Sequence, residues 1–296
     1  MTQATTIGFI GTGVMGKSMC QHLLDAGYTV NVYTRTKSKA QALVTAGANW
    51  KDSVKEIATD SDVIITIVGF PSDVEEVYFG EKGIIEQAKT GSYLIDMTTS
   101  DPMLAETIAQ KGKEKGLHSL DAPVSGGDVG AKNGSLTIMV GGQQDDYQAM
   151  LPIFNRLGSN VIRQGEAGAG QHTKMANQIT IASNMIGVSE AIMYAKKSGL
   201  DPSSVLESIS QGAAGSWSLR NLAPRMTEGD DRPGFYIKHF IKDMTIALSS
   251  AKRMGLLTPG LELSLELYQE LEKRGEADSG TQALIKWYQT NVRHRD

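Results

Sequence analysis

Residues 6–16 read Thr6-Ile7-Gly8-Phe9-Ile10-Gly11-Thr12-Gly13-Val14-Met15-Gly16. An apolar run stops at a glycine, and a helical pattern begins at Val14 and carries on to Ala26. Strand, glycine-rich turn and helix in direct succession are the signature of a phosphate-binding turn in a βαβ unit. Each glycine has its own task. Gly11 permits the tight turn, Gly13 lets the backbone approach a pyrophosphate, and Gly16 lets helix and strand pack closely. Thr12, Val14 and Met15 fill the turn and open the helix, whose free N–H groups and partial positive charge favour an anion. A dinucleotide site is therefore the first functional expectation.

Outward from this turn, strand-like and helix-like segments alternate as far as residue 165. Strands are expected at 6–10, 29–34, 62–68, 93–97, 117–124 and 136–140, several of them apolar on both faces as in a helix-covered parallel sheet. Helical patterns lie between them, among them 14–26, 102–115 and 145–157. Alternation with short connections predicts a doubly wound α/β sheet of the Rossmann type. Near Gly165 the character changes. From Gly168 to Lys197 there is no proline and no alternation, and apolar residues recur on two faces: Met175, Ile179, Ala182 and Ile186 on one, Ile181, Met185, Val188 and Ile192 on another. Roughly 30 helical residues make a rod on the order of 45 Å. Further helices follow, punctuated by Asp201-Pro202 as cap and first turn and by Gly255 and Gly275 as stops. The expected organisation is a dinucleotide-binding domain at 1–165 and an all-helical domain at 166–296, joined by the long helix.

Composition narrows the partners. A net charge of −4, with Lys and Arg scattered rather than grouped, gives no basic face for nucleic acid. Cys20 is the single cysteine, which excludes an internal disulfide and a cysteine-rich metal site, so no metal is expected and a reducing compartment fits. The N-terminus has no basic segment before an apolar one, and no stretch approaches the ~20 apolar residues of a membrane span. A cytoplasmic protein that engages neither membrane nor nucleic acid is expected.

The adenosine end carries a specificity signal. An NAD site usually places Asp or Glu about 20 residues past the glycines, at the end of the second strand. Here that place reads Val32-Tyr33-Thr34-Arg35-Thr36-Lys37. A carboxylate would repel a 2′-phosphate, whereas a guanidinium grips one. NADP is thus the preferred coenzyme, with Arg35 and Thr36 on the phosphate, Thr34 beside them, and NAD as the alternative. Val68, Phe70 and Pro71 close the third expected strand and are placed along the adenine-ribose.

Three more motifs stand further along: Asp121-Ala122-Pro123-Val124-Ser125-Gly126-Gly127; Gly168-Ala169-Gly170-Gln171-His172-Thr173-Lys174-Met175-Ala176-Asn177; and Lys242-Asp243 within residues 235–247. With the glycine-rich start, this set resembles the β-hydroxyacid dehydrogenase family, over essentially the whole chain and in the family's order and spacing. That family includes 3-hydroxyisobutyrate dehydrogenases, tartronate semialdehyde reductases and glyoxylate/succinic semialdehyde reductases. The resemblance implies that Lys174 is the general acid/base and that Asn177, three residues on and so on the same helix face, positions the substrate. It implies that Lys242 lies close to the cofactor, that Asp243 lines the pocket, and that Thr98 is the nicotinamide-side contact. Ser125-Gly126-Gly127 offers a hydroxyl and exposed N–H groups to a substrate carboxylate.

The chemistry expected is hydride exchange between the nicotinamide and a small β-hydroxy acid or aldehyde acid, with Lys174 moving the proton. An unperturbed lysine titrates near 10.4, so oxidation is expected to quicken well above neutral pH. His172 lies about 200° around the helix from Lys174 and is read as structural. Trp217 and Phe235 are expected pocket walls, Phe235 on the cofactor side. The competing activities are glyoxylate/succinic semialdehyde reduction, imine reduction, and dinucleotide binding without catalysis; Lys174 with Ser125-Gly126-Gly127 weighs against imine reduction, and Lys174 beside Asn177 against binding alone. Subunits are expected to pair through the helical domain as a homodimer or homotetramer.

Overall fold

The computed structural model describes residues 5–291. The strands are β1 (Thr6–Ile10), β2 (Thr29–Tyr33), β3 (Asn49–Trp50), β4 (Val63–Thr66), β5 (Tyr93–Asp96), β6 (His118–Asp121), β7 (Val124–Ser125), β8 (Leu136–Gly141) and β9 (Gly158–Gly165). They form one sheet in the order β3-β2-β1-β4-β5-β6-β8-β7, with β9 pairing β8. The strand order reverses between β1 and β4, which opens a crevice at the carboxyl ends of those two parallel strands, where doubly wound sheets bind ligands. Side-chain alternation splits the core across the sheet: Ile7, Phe9, Val63 and Ile65 join one buried cluster, whereas Ile10 and Ile64 join another.

The first six strands run parallel, but β8 runs antiparallel to both β6 and β7. The single strand expected at 117–124 is two strands. Pro123 lies at the break; it cannot donate to a ladder, and only its carbonyl is used, by the N–H of Met139 at 3.0 Å. Two strands were not expected. The pair Asn49–Trp50 is too short for a pattern, and in β9 only Val161 and Ile162 are apolar, every residue after the buried Gly158 being exposed or half-buried.

The described residues divide into two compact units between Lys174 and Met175, so the first turns of the helix Ala169–Lys197 belong with the sheet. The second unit is helical, with Pro202–Ile209, Trp217–Asn221, Ala223–Glu228, Ile237–Arg253, Pro259–Lys273 and Leu284–Thr290 as its further α-helices. Its core gathers Ala182, Met185, Val188 and Ile192 with Phe240, Met244, Tyr268 and Leu284. On the long helix both expected faces contribute: Met175 and Ala182 of the first and Met185, Val188 and Ile192 of the second are buried, while Ile179 and Ile186 of the first and Ile181 of the second are half-buried at the edge of this core. Among the described residues no helix is long and apolar enough to cross a membrane.

Candidate active site

The glycine turn is built by steric exclusion. A Cβ on Gly11 would stand 2.1 Å from the carbonyl oxygen of Ile67, and one on Gly16 would stand 2.0 Å from that of Gly11. Gly11 also takes φ +100°, a region open mainly to glycine. Gly13 differs: a Cβ there would meet nothing within 4 Å, and its φ of −72° suits any residue. Protein packing explains the first and third glycines. The second leaves space beside the N-terminus of the helix Val14–Asp25, where a pyrophosphate is accommodated in such turns. Thr12 adds a second mark of a missing partner, because its hydroxyl is buried with no hydrogen bond from the protein. Such a group costs about 1–3 kcal/mol unless something bonds it, and a phosphate oxygen would. Val14 is exposed and Met15 half-buried at the mouth of the turn. These residues fit a dinucleotide.

The turn is tied to the adenosine end. The N–H of Gly11 donates to the carbonyl of Tyr33 at 2.9 Å, which sets Thr34, Arg35 and Thr36 directly after the turn's neighbouring strand. Arg35 and Thr36 are exposed, and Arg35 Nη1 lies 3.0 Å from Asp73 Oδ1. After β4, the N–H of Val68 donates to Thr98 Oγ1 at 3.0 Å, joining the ends of β4 and β5, and Pro71 opens the helix Pro71–Phe79. Thr98 is itself fixed from behind by Asp96, whose Oδ1 accepts from the Thr98 N–H at 3.1 Å and from Thr66 Oγ1 at 2.9 Å. Burial pushes the Asp96 carboxyl up to about 6, against the pull of these hydrogen bonds.

Lys174 is 7% exposed and donates through Nζ to the carbonyl of Val124 at 2.8 Å. The chain then runs from Val124 into Ser125-Gly126-Gly127, where Gly126 has φ +126° and Gly127 φ +63°. No bulkier residue adopts that pair readily, so the turn stays free of side chains beyond Ser125. His172 is exposed, on another side of the helix.

Two residues inside the quoted motifs turn out to organise this region although no role was read for them. Asp121 is buried, accepts the N–H of Gly168 on Oδ1 and that of Gln171 on Oδ2, each at 2.8 Å, and so clamps the start of the lysine-bearing helix. Burial pushes its carboxyl up while those N–H groups pull it down. Gln171, fully buried, donates to the Thr98 carbonyl at 2.7 Å and accepts from the Ser100 N–H at 2.9 Å. One side chain thus spans the loop after β5 and the helix one turn before Lys174. An acid at the end of an expected strand was a visible signal for Asp121. Gln171 gave none.

Within the helical unit, Asn177 Nδ2 donates to Gln178 Oε1 at 2.7 Å, and Gln178 Nε2 donates to Asp243 Oδ2 at 2.6 Å. Lys242 Nζ lies 2.8 Å from Asp243 Oδ1, and both side chains are largely buried. Asn177, Asp243 and Lys242 therefore form one polar chain rather than a solvated pair. Phe235 is half-buried against Phe240, ring centroids 5.6 Å apart. Trp217 is 62% exposed at the start of its short helix and fills no core.

A switch-point crevice with a phosphate-binding turn, in a chain that also buries a lysine beside a glycine-rich turn, defines a nicotinamide-dinucleotide-dependent oxidoreductase. The family model described as the NAD binding domain of 6-phosphogluconate dehydrogenase matches residues 6–165, and that described as NAD-binding of NADP-dependent 3-hydroxyisobutyrate dehydrogenase matches residues 168–288. The chain belongs to the β-hydroxyacid dehydrogenase family. It is 63% identical, over 95% of its length and 98% of the relative's, to an oxidoreductase of Bacillus subtilis, YkwC, whose name calls it uncharacterized. It is 52% identical, over 95% of its length and 84% of the relative's, to a probable mitochondrial 3-hydroxyisobutyrate dehydrogenase-like protein of Arabidopsis thaliana. Among solved structures, 3-hydroxyisobutyrate dehydrogenase of Mycobacterium tuberculosis with L-serine superposes with a TM-score of 0.89 at 27% identity, covering 98% of this chain and all of that one. The protein is an NAD(P)-dependent hydroxyacid dehydrogenase.

Proposed function

We propose that this chain interconverts a small β-hydroxy acid and its aldehyde acid with NADP(H) as the preferred coenzyme, Lys174 serving as general acid/base. The observation that carries the reading is the hydrogen bond from Lys174 Nζ to the carbonyl of Val124, which holds a buried ammonium at the entrance to Ser125-Gly126-Gly127. When bound, the nicotinamide supplies or accepts the hydride at the substrate's carbinol carbon. In reduction, Nζ donates a proton to the substrate oxygen as negative charge gathers there; in oxidation, the neutral amine takes the hydroxyl proton. The N–H groups and hydroxyl of the turn at 125–127 hold the acid group. Gly13 and Thr12 receive the pyrophosphate, and Arg35 with Thr36 the 2′-phosphate. Asn177 and Asp243 are assigned to substrate placement, and Lys242 and Phe235 to the cofactor side.

Cytoplasmic residence and assembly as at least a homodimer complete the proposal. Exposed Met254, Leu256 and Leu257 on the helical unit support the latter. The test is NADPH oxidation with succinic semialdehyde, glyoxylate, methylmalonate semialdehyde and tartronate semialdehyde. At least one is expected to turn over, and Lys174→Ala is expected to lose about 10²- to 10⁴-fold in kcat while still binding NADPH. Near wild-type turnover in that variant would remove Lys174 from the chemistry.

A further inference from the structure

We infer that Asp73 sets how strongly this chain discriminates between phosphorylated and unphosphorylated coenzyme, by holding Arg35 and offsetting its charge; this rests on the reading of Arg35 as the 2′-phosphate residue. The two come from different elements. Arg35 follows β2, and Asp73 lies in the first turn of the helix Pro71–Phe79, which follows β4. Their contact is lopsided: the Arg35 side chain is 75% exposed and the Asp73 side chain 15%. Asp73 uses its other oxygen, Oδ2, to accept the N–H of Phe70 at 3.1 Å, so its own helix start pins the carboxylate. Gly69 packs against the same oxygen, since a Cβ there would lie 3.1 Å from it. The anion is pinned from a second side, whereas the cation it holds stands mostly in solvent.

Arg35 gives Asp73 a hydrogen bond through Nη1. A guanidinium has five N–H donors in a planar fork, so an edge remains for a phosphate. The nearby lysine on its own segment, Lys37, lies 3.9 Å from Asp52 and stacks over Trp50 at 4.9 Å. A 2′-phosphate, carrying between one and two negative charges, would therefore share Arg35 with a carboxylate that cannot retreat, and the two anions repel through it. A 2′-hydroxyl carries no charge and meets no such opposition. Asp73 thus tempers the preference for NADP and leaves NAD usable. For charges on an exposed guanidinium at physiological salt, removing the opposing anion is worth about three- to tenfold in affinity.

The experiment is equilibrium titration of the full chain with NADPH and with NADH, followed by nicotinamide fluorescence, for wild type, Asp73→Asn, Asp73→Thr and Arg35→Ala. Both neutral replacements keep an oxygen that can accept from the Phe70 N–H, so the helix start is retained; melting temperature checks this. The neutral variants are expected to bind NADPH about three- to tenfold more tightly, with NADH within about twofold, and the gain is expected to shrink in about 0.5 M salt as screening shortens the reach of the charge. Unchanged or weaker NADPH binding in both overturns the inference. If Arg35→Ala binds NADPH as wild type does, the phosphate reading of Arg35 itself fails. If Arg35→Ala weakens NADPH but neither neutral variant tightens it, only the role of Asp73 fails.

Discussion

Replacing Gly13 by alanine separates coenzyme binding from folding. In the free protein the new methyl meets nothing within 4 Å, and the backbone at φ −72°, ψ −161° is one alanine adopts without strain. Gly13 caps the helix Val14–Asp25, and alanine is the poorer cap, a loss of about 0.5–1 kcal/mol. Against that, alanine has fewer unfolded conformations to lose, a gain of about 0.4–1 kcal/mol. The two offset, so Gly13→Ala is expected to change unfolding free energy by less than about 1 kcal/mol in urea denaturation. The same methyl occupies the approach to the helix N-terminus, and NADPH is expected to bind at least about tenfold more weakly, about 1.4 kcal/mol or more. Gly16→Ala is the contrasting case. Its Cβ would lie 2.0 Å from the Gly11 carbonyl oxygen and 3.0 Å from Ile67 Cγ2, so strand and helix must part, at a cost of several kcal/mol. Fluorescence titration and urea denaturation of the two variants settle the matter. A Gly13→Ala protein that binds NADPH normally, or that loses more than about 2 kcal/mol of stability, would show that the empty space at Gly13 does not belong to a ligand.

Two further outcomes follow from the buried polar network. Gln171→Leu keeps the volume but leaves the Thr98 carbonyl and the Ser100 N–H without their partner, and is expected to cost about 2–4 kcal/mol in urea denaturation along with a fall in kcat; a change below about 0.5 kcal/mol would deny the bridge its role. Asp96, with its carboxyl at about 6 in the native state, holds its proton more tightly than the unfolded chain does. Its contribution to stability is therefore greatest below about pH 4, declines by a few kcal/mol as pH rises to about 6, and is constant above. Asp96→Asn is expected to remove that decline, so the stability difference between variant and wild type should shift in the variant's favour across this range; a difference independent of pH would refute it.

The amino-acid sequence alone determined the architecture and the chemical class. Helices, strands and turns of this kind are set by patterns within about fifteen residues: the apolar run ending at Gly11, the spacing of Gly11, Gly13 and Gly16, the proline-free helix carrying Lys174. The absence of an acid at Thr34–Thr36 was equally local and equally legible. Strand ends were less so, because Pro123 splits β6 from β7 only in concert with the antiparallel β8, and β9 is recognised as a strand by its partner rather than by its own polar residues.

What tertiary structure decided is which polar groups find one another. Asp121 reaches Gly168 and Gln171 across 47 and 50 residues, and Gln171 reaches Thr98 across 73. The sequence places these side chains in quoted motifs but cannot say that they meet, because a hydrogen bond is fixed by position in space and no periodicity encodes it. The same holds for Arg35 and Asp73, 38 residues apart, whose pairing exists only because β1 brings β2 and β4 to either side of itself.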